Sequence, residues 1–114
     1  MFVEFHPDAG TEFVEQVLFY ETQEPELGQR FIEAIDAALA LLLLQPQLGR
    51  PLDGGVRKFV LQELPFSVVY RIKPGRQIWI AAVAHNRRRP DYWRARMAEP
   101  VLRYAASSTT TAVP

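Results

Sequence analysis

The apolar residues of this chain repeat on two different periods, and the change divides it near its middle. Before residue 45 the spacing is helical. Phe13, Val17 and Tyr20 stand at i, i+4 and i+7, with Glu12, Glu15 and Glu21 outside that stripe. Thr22-Gln23-Glu24 interrupts it, and Pro25 suits the first position of a second helix. That helix runs through Leu27, Phe31, Ile35, Ala38, Leu39 and Leu42 until Pro46 and Gly49 stop it. Its end, Ala37 to Leu44, is apolar nearly all round, which predicts cover on more than one side. A short connection predicts an antiparallel helical hairpin.

After residue 55 the period is two. Val56 to Leu61 reads as a strand. Phe66, Val68, Tyr70 and Ile72 then alternate with Ser67, Val69 and Arg71. Lys73-Pro74-Gly75-Arg76 fits a type II turn, and Ile78 to His85 is an apolar strand for the sheet centre. Phe2 to His6 adds a short N-terminal strand, after which Asp8 can cap the first helix. Gln47 to Gly55 is expected as loop, and a short last helix is expected from Pro90, carrying Tyr92, Trp93, Arg96 and Met97. The predicted class is α+β: a helical hairpin on one face of a mainly antiparallel sheet. The core should hold Val3, Phe13, Val17, Phe31, Ile35, Leu39, Phe59, Val68, Tyr70, Ile78, Ile80 and Val83. Val83 joins this set although strict alternation puts it on the Trp79 face. One domain over residues 1–104 and a flexible low-complexity tail over 105–114 are expected.

Composition removes several function classes. The 114 residues include no cysteine, so disulfides, thiolate nucleophiles and Cys-based zinc sites are out, and a cytoplasmic setting is the natural one. Two histidines, His6 and His85, are too few for a His-rich metal site. The longest apolar run is far short of the ~20 residues of a membrane span. The start, Met1 to Asp8, has no basic stretch before an apolar one, so no signal peptide is expected. No phosphate-binding loop, dinucleotide fingerprint or hydrolase string occurs, and neither cofactor nor metal is expected.

The formal charge of zero conceals a polarised chain. Residues 1–54 carry ten acids against two bases, a net −8, and residues 55–114 carry eleven bases against three acids, a net +8. The basic half is a candidate surface for an anion, either nucleic-acid backbone or an acidic protein segment. Its densest part is His85-Asn86-Arg87-Arg88-Arg89, followed by Asp91, Tyr92, Trp93, Arg94 and Arg96. Guanidinium forks match phosphate oxygens, and rings beside them can stack on unpaired bases. Metal-free RNA cleavage needs a base, an acid and cations, which His85, Tyr92 and the arginines can supply in principle. Plainer readings stand beside these: His85 as a hydrogen-bonded rim residue, Tyr92 and Trp93 as packing, Arg71 as the solvent side of its strand. His6 reads as structural.

Six stretches, in order, carry a resemblance. They are Phe2-Val-Glu-Phe-His-Pro-Asp-Ala, Pro25-Glu-Leu-Gly-Gln-Arg-Phe, Pro46-Gln-Leu-Gly-Arg-Pro, Gly55-Val-Arg-Lys-Phe, Leu64-Pro-Phe-Ser-Val-Val-Tyr-Arg and Ala82-Val-Ala-His-Asn-Arg-Arg-Arg-Pro-Asp-Tyr-Trp. Together the chain resembles toxins of the RelE/ParE superfamily from bacterial type II toxin–antitoxin systems. The resemblance implies a small α+β fold, a cognate antitoxin as partner, and growth arrest by the free toxin. It leaves the target open. RelE-like members cleave mRNA on the ribosome, whereas ParE-like members poison DNA gyrase. RelE-like nucleases carry alternating lysines where this chain has Lys58 and then Val60, and an arginine where it has Ser67. Arg87 matches the arginine after their last strand, and Tyr92 or Trp93 sits near their C-terminal tyrosine. The resemblance therefore leans toward gyrase inhibition. The alternatives are an mRNA endonuclease using His85, Arg87, Tyr92 and Lys58, or a member that only binds its antitoxin. The residues expected at the target or antitoxin surface are Arg57, Lys58, Arg71, Arg87, Arg88, Arg89, Tyr92 and Trp93.

Overall fold

The computed structural model describes residues 3–75 and 77–97. The expected tail, 105–114, and the last residues expected in the domain lie outside them. Strand β1 (Val3–Phe5) leads into helices α1 (Pro7–Gln23) and α2 (Leu27–Leu44). Strands β2 (Arg50–Leu52), β3 (Val56–Val60), β4 (Phe66–Lys73) and β5 (Gln77–His85) follow. The sheet order is β1-β5-β4-β3-β2. β1 runs parallel to β5, and every other pairing is antiparallel. The architecture is α+β, a helical hairpin against one face of a five-stranded sheet.

The two apolar stripes of the helices meet the sheet as their spacing predicts. Phe31, Ile35 and Leu42 of α2 are fully or almost fully buried, and Phe13, Val17 and Tyr20 of α1 pack against the same core. The Phe31 ring lies 5.7 Å from Phe13 and 5.2 Å from Phe66. All twelve expected core residues belong to this cluster or pack on it. Val83 does so for a reason alternation alone does not supply. Val69 pairs with Ala82 while Tyr70 pairs with Ile80, so Ala81 is an extra residue in β5. This bulge reverses the parity of the strand, turning Val83 to the helices and Ala82 away from them.

Six local expectations are corrected. The α1 cap is His6, not Asp8: the imidazole Nδ1 accepts from the Asp8 N–H at 2.9 Å, and Pro7 takes the first helical position. Pro25 lies in the turn before α2, where Glu26 has φ of +80°, outside helical space. Instead of a cap there, the Glu21 carboxylate accepts from the Gly28 N–H at 2.9 Å. The 47–55 stretch contains β2, an edge strand in which Pro51 is tolerated. The end of α2 is not covered all round, since Leu41 and Leu44 are exposed. No helix starts at Pro90: Asp91 has φ of +63°, and among the described residues a 3-10 turn, Arg94–Met97, follows. β5 is interior, between β1 and β4, but β4 holds the middle of the five strands. Gly75 has φ of +78°, as the third position of a type II turn requires.

Candidate functional site

Beyond β5 the chain makes a tight turn and then crosses the sheet face away from the helices. The turn is built by its own backbone. The Asn86 N–H donates to the Pro65 carbonyl at 2.8 Å, and the Arg88 N–H to the His85 carbonyl at 2.9 Å. The His85 Nδ1 accepts from the Arg87 N–H at 3.0 Å, and the Ser67 hydroxyl bonds the Asn86 amide oxygen at 2.6 Å. With its backbone thus fixed, the turn presents Arg87, Arg88 and Arg89 to solvent. Arg88 stands 3.8 Å above the Tyr92 ring. None of the three guanidinium groups makes an ion pair among the described residues.

The segment after the turn is anchored by a residue the sequence marks only as lying outside a stripe. Glu12 of α1 accepts four hydrogen bonds. Its Oε1 takes the Val83 N–H and an Arg96 N–H, each at 3.0 Å. Its Oε2 takes the second Arg96 nitrogen at 2.8 Å and the Tyr92 hydroxyl at 2.7 Å. Arg96 also donates to the Ala81 carbonyl at 2.9 Å. The location explains the cluster. β1 pairs with β5 from Ile78 to Ile80, so among the described residues no strand lies beside that edge of β5 beyond the bulge. Glu12 and Arg96 supply the acceptor and donor that a strand would have supplied. Burial pushes the Tyr92 phenol well above its ordinary range, and the Glu12 carboxylate adds to the rise. Burial works against the Arg96 charge, but Glu12 outweighs it and holds the guanidinium protonated.

Trp93 seals the face opposite the helices. Only 4% exposed, it packs with Val56, Val69, Trp79, Ala82 and Ala84. Arg94 stacks 4.5 Å over its ring and donates to the Asp53 carbonyl at 2.7 Å, tying the segment to the β2–β3 turn.

The candidate residues therefore occupy several environments. Arg57 faces the helix side beside Tyr70 and donates to the carbonyls of Gln47 at 3.1 Å and Gly49 at 2.8 Å. Gly49 is fixed there because its N–H donates to the Tyr70 hydroxyl, and a Cβ would meet that oxygen at 2.6 Å. Lys58 and Arg71 belong to the other face, opposite Val69 and Val56 in the ladders. Arg71 lies 5.8 Å over the Trp79 ring. His85 packs edge-on against Phe66, on the helix side, at 5.0 Å. His85 and Lys58 thus stand on opposite faces of the sheet, and Tyr92 is held by Glu12. Arg87, Arg88 and Arg89 form the exposed group. Glu12 and Arg96 were not legible as a pair, because their contact spans 84 positions and no spacing rule joins them. Among the described residues no group of three or more His, Asp or Glu is placed to hold a metal ion.

The fold and the arginine turn place the chain in a class of small two-layer α+β proteins with a basic C-terminal segment. A family model described as the ParE toxin of type II toxin-antitoxin system, parDE, matches residues 3–90. The chain belongs to the ParE toxin family. Among solved structures it is similar to a chain from one described as the chromosomal ParDE TA system from P. aeruginosa. The TM-score is 0.63 and the identity 25%, covering 75% of this chain and 95% of that one. No curated protein matches.

Proposed function

We propose that this chain is the growth-arresting toxin of a toxin–antitoxin pair, that its cognate antitoxin neutralises it, and that its cytoplasmic target is DNA gyrase rather than mRNA. The observation that carries the choice of target is the separation of the groups an mRNA endonuclease would use. His85 and Lys58 lie on opposite faces of the sheet. Tyr92 keeps its proton because burial and the Glu12 carboxylate both disfavour the phenolate. Ser67, at a position where RelE-like nucleases hold an arginine, is fully buried and bonded to Asn86. Loss of one electrostatic stabiliser typically lowers a rate by ~10²–10³, and here Val60 and Ser67 leave two positions neutral. The Arg87–Arg89 turn remains as the target-binding surface, with arginine side chains as anchors. The antitoxin reading rests on family membership and on the charge of the second half. An acidic antitoxin segment would meet Lys58, Arg71 and Arg87. No helix among the described residues is long and apolar enough to cross a membrane.

The deciding experiment adds purified toxin to a translating extract and, separately, to gyrase with relaxed plasmid. Supercoiling should fail while mRNA stays intact, and Arg87→Ala should restore supercoiling. Site-specific mRNA cuts that disappear in a folded His85→Ala variant would reverse the assignment. For the antitoxin, Arg71→Glu and Arg87→Glu should weaken the complex, since close interfacial charge pairs couple by ~1.5–7 kcal/mol. Unchanged affinity in both would remove the electrostatic basis of that contact.

A further inference from the structure

We infer that the Arg87–Arg89 turn is a phosphodiester-binding site through which this chain contacts the backbone of duplex DNA. The inference rests on the assignment of this turn as a binding surface and is independent of which protein the toxin inhibits. Three observations carry it. The first is charge placed without partners. Arg87, Arg88 and Arg89 are exposed, and none pairs with a carboxylate among the described residues. Asp91, the nearest acid in sequence, is engaged by Arg94 at 3.3 Å. Glu63, in the adjoining β3–β4 turn, is one carboxylate against three guanidinium groups.

The second is rigidity. Two hydrogen bonds tie the turn to the β4 end, two more close it internally, and Arg88 is held over Tyr92. A guanidinium positioned over a ring keeps its N–H donors for another partner. The three side chains start from Cα atoms within about 8 Å of one another. A DNA strand offers one charge per ~3.4 Å of axis, so neighbouring phosphates fall within their common reach.

The third is the placement of the opposite charge. The hairpin, residues 7–44, holds eight acids and one base, a net −7; it packs on the sheet face opposite Trp93, and of its acids Glu12 and Asp8 meet the C-terminal segment, where Arg96 pairs with both. A protein with zero net charge has no bulk attraction for DNA, so any binding must come from a local patch. The acidic layer also disfavours an approach led by the helices. Backbone phosphates carry no sequence information, so the contact is sequence-independent.

The test measures fluorescence anisotropy of a short labelled duplex of arbitrary sequence titrated with the purified full chain. Three phosphate contacts predict a log–log salt slope of about −2.7, an affinity loss of about 40-fold between about 50 and about 200 mM salt. Arg87→Ala with Arg89→Ala should reduce the slope to about −0.9, a loss of about 3.5-fold over the same range. Arg30→Ala removes one cation from the acidic layer and should leave the slope unchanged. A near-ultraviolet circular dichroism spectrum identical to the parent's shows that the double variant is folded. No measurable binding by the parent chain overturns the inference, as does a double variant that retains the full slope. Tighter binding of a single-stranded RNA of equal length overturns the assignment to duplex DNA. The assay contains no gyrase, so its failure leaves the gyrase reading intact, and a gyrase assay can fail while this one succeeds.

Discussion

Against the helices the sheet presents Val68, Tyr70, Ile78, Ile80 and Val83; against the C-terminal segment it presents Val69, Trp79, Ala82 and Ala84. The first face meets two long helices, whose rings and branched side chains interdigitate with large residues of the strands. The second meets a few residues of irregular chain. Small alanines there leave space for one indole, Trp93, which fills the gap that larger strand residues would otherwise occupy. The helical cover is held by apolar packing spread over many residues. The C-terminal cover is held by Trp93, by the Glu12–Arg96–Tyr92 cluster and by Arg94. Distributed contacts produce a stable scaffold. A cover pinned at a few polar points positions one loop, and here the loop is the arginine turn.

The largest expected effect lies on the helical face. Phe31→Ala removes a fully buried ring that touches Phe13, Tyr20 and Phe66, and should cost ~3–5 kcal/mol. Ile35→Ala belongs with it, at ~2–5 kcal/mol. Urea denaturation checks both, and an unchanged midpoint for either would show that the hairpin is not the dominant cover.

At the C-terminal cover, Glu12→Ala leaves the Val83 N–H without its acceptor and Arg96 without its closer carboxylate. Breaking a buried ion pair typically costs ~3–5 kcal/mol. Arg96 retains the Ala81 carbonyl, the Asp8 carboxylate at 3.8 Å and some solvent contact, which points to the lower end, about 3 kcal/mol. The effect should be local: hydrogen exchange at the Val83 amide should accelerate more than exchange within α2. Equal acceleration in both places would mean that the two covers melt together, erasing the distinction drawn between them.

The contrast between the faces also decides how far sequence reading reaches. The helical face was legible because its signals are periodic. Phe13, Val17, Phe31 and Ile35 announce a stripe, and Val68, Tyr70, Ile78 and Ile80 announce a strand face. The bulge at Ala81 was not legible, since one extra residue in a run of apolar residues changes no composition. Its consequence, Val83 against the helices and His85 beside Phe66, follows only from the register. β2 was hidden because three residues containing a proline resemble a loop, and only pairing with β3 makes them a strand. At the candidate site, the exposed arginine run was visible as a block of charge. Its supports were not: Glu12 meets Tyr92 and Arg96 from the other end of the chain, and nothing local distinguishes it from Glu15. Trp93 illustrates the same limit, because a ring beside three arginines reads equally as an anchor or as packing until its burial is known.

The smallest expected effect separates the covers by their response to alkali. Tyr92→Phe removes a hydrogen bond to a charged acceptor, worth about 1.5 kcal/mol at the low end of such bonds. It also removes a titrating group. Burial and the neighbouring Glu12 carboxylate raise the Tyr92 phenol in the folded chain, whereas an unfolded tyrosine ionises near pH 10. The protonated phenol is thus favoured by folding. Its contribution is fully present below about pH 10, where both states hold the proton. Above that value the unfolded chain releases its proton first, so the folded state binds more protons and stability falls as pH rises. Tyr70 is raised as well, chiefly by burial against the helical face, and contributes a fall of the same sign. Chemical denaturation of parent and variant at a series of alkaline pH values isolates the Tyr92 share. The Tyr92→Phe profile should be lower at neutral pH and shallower above pH 10, because the Tyr92 share of the fall is gone. Parallel profiles would mean that the C-terminal cover detaches before the helical face unfolds. The Glu12 cluster would then position the arginine turn without contributing to the global transition.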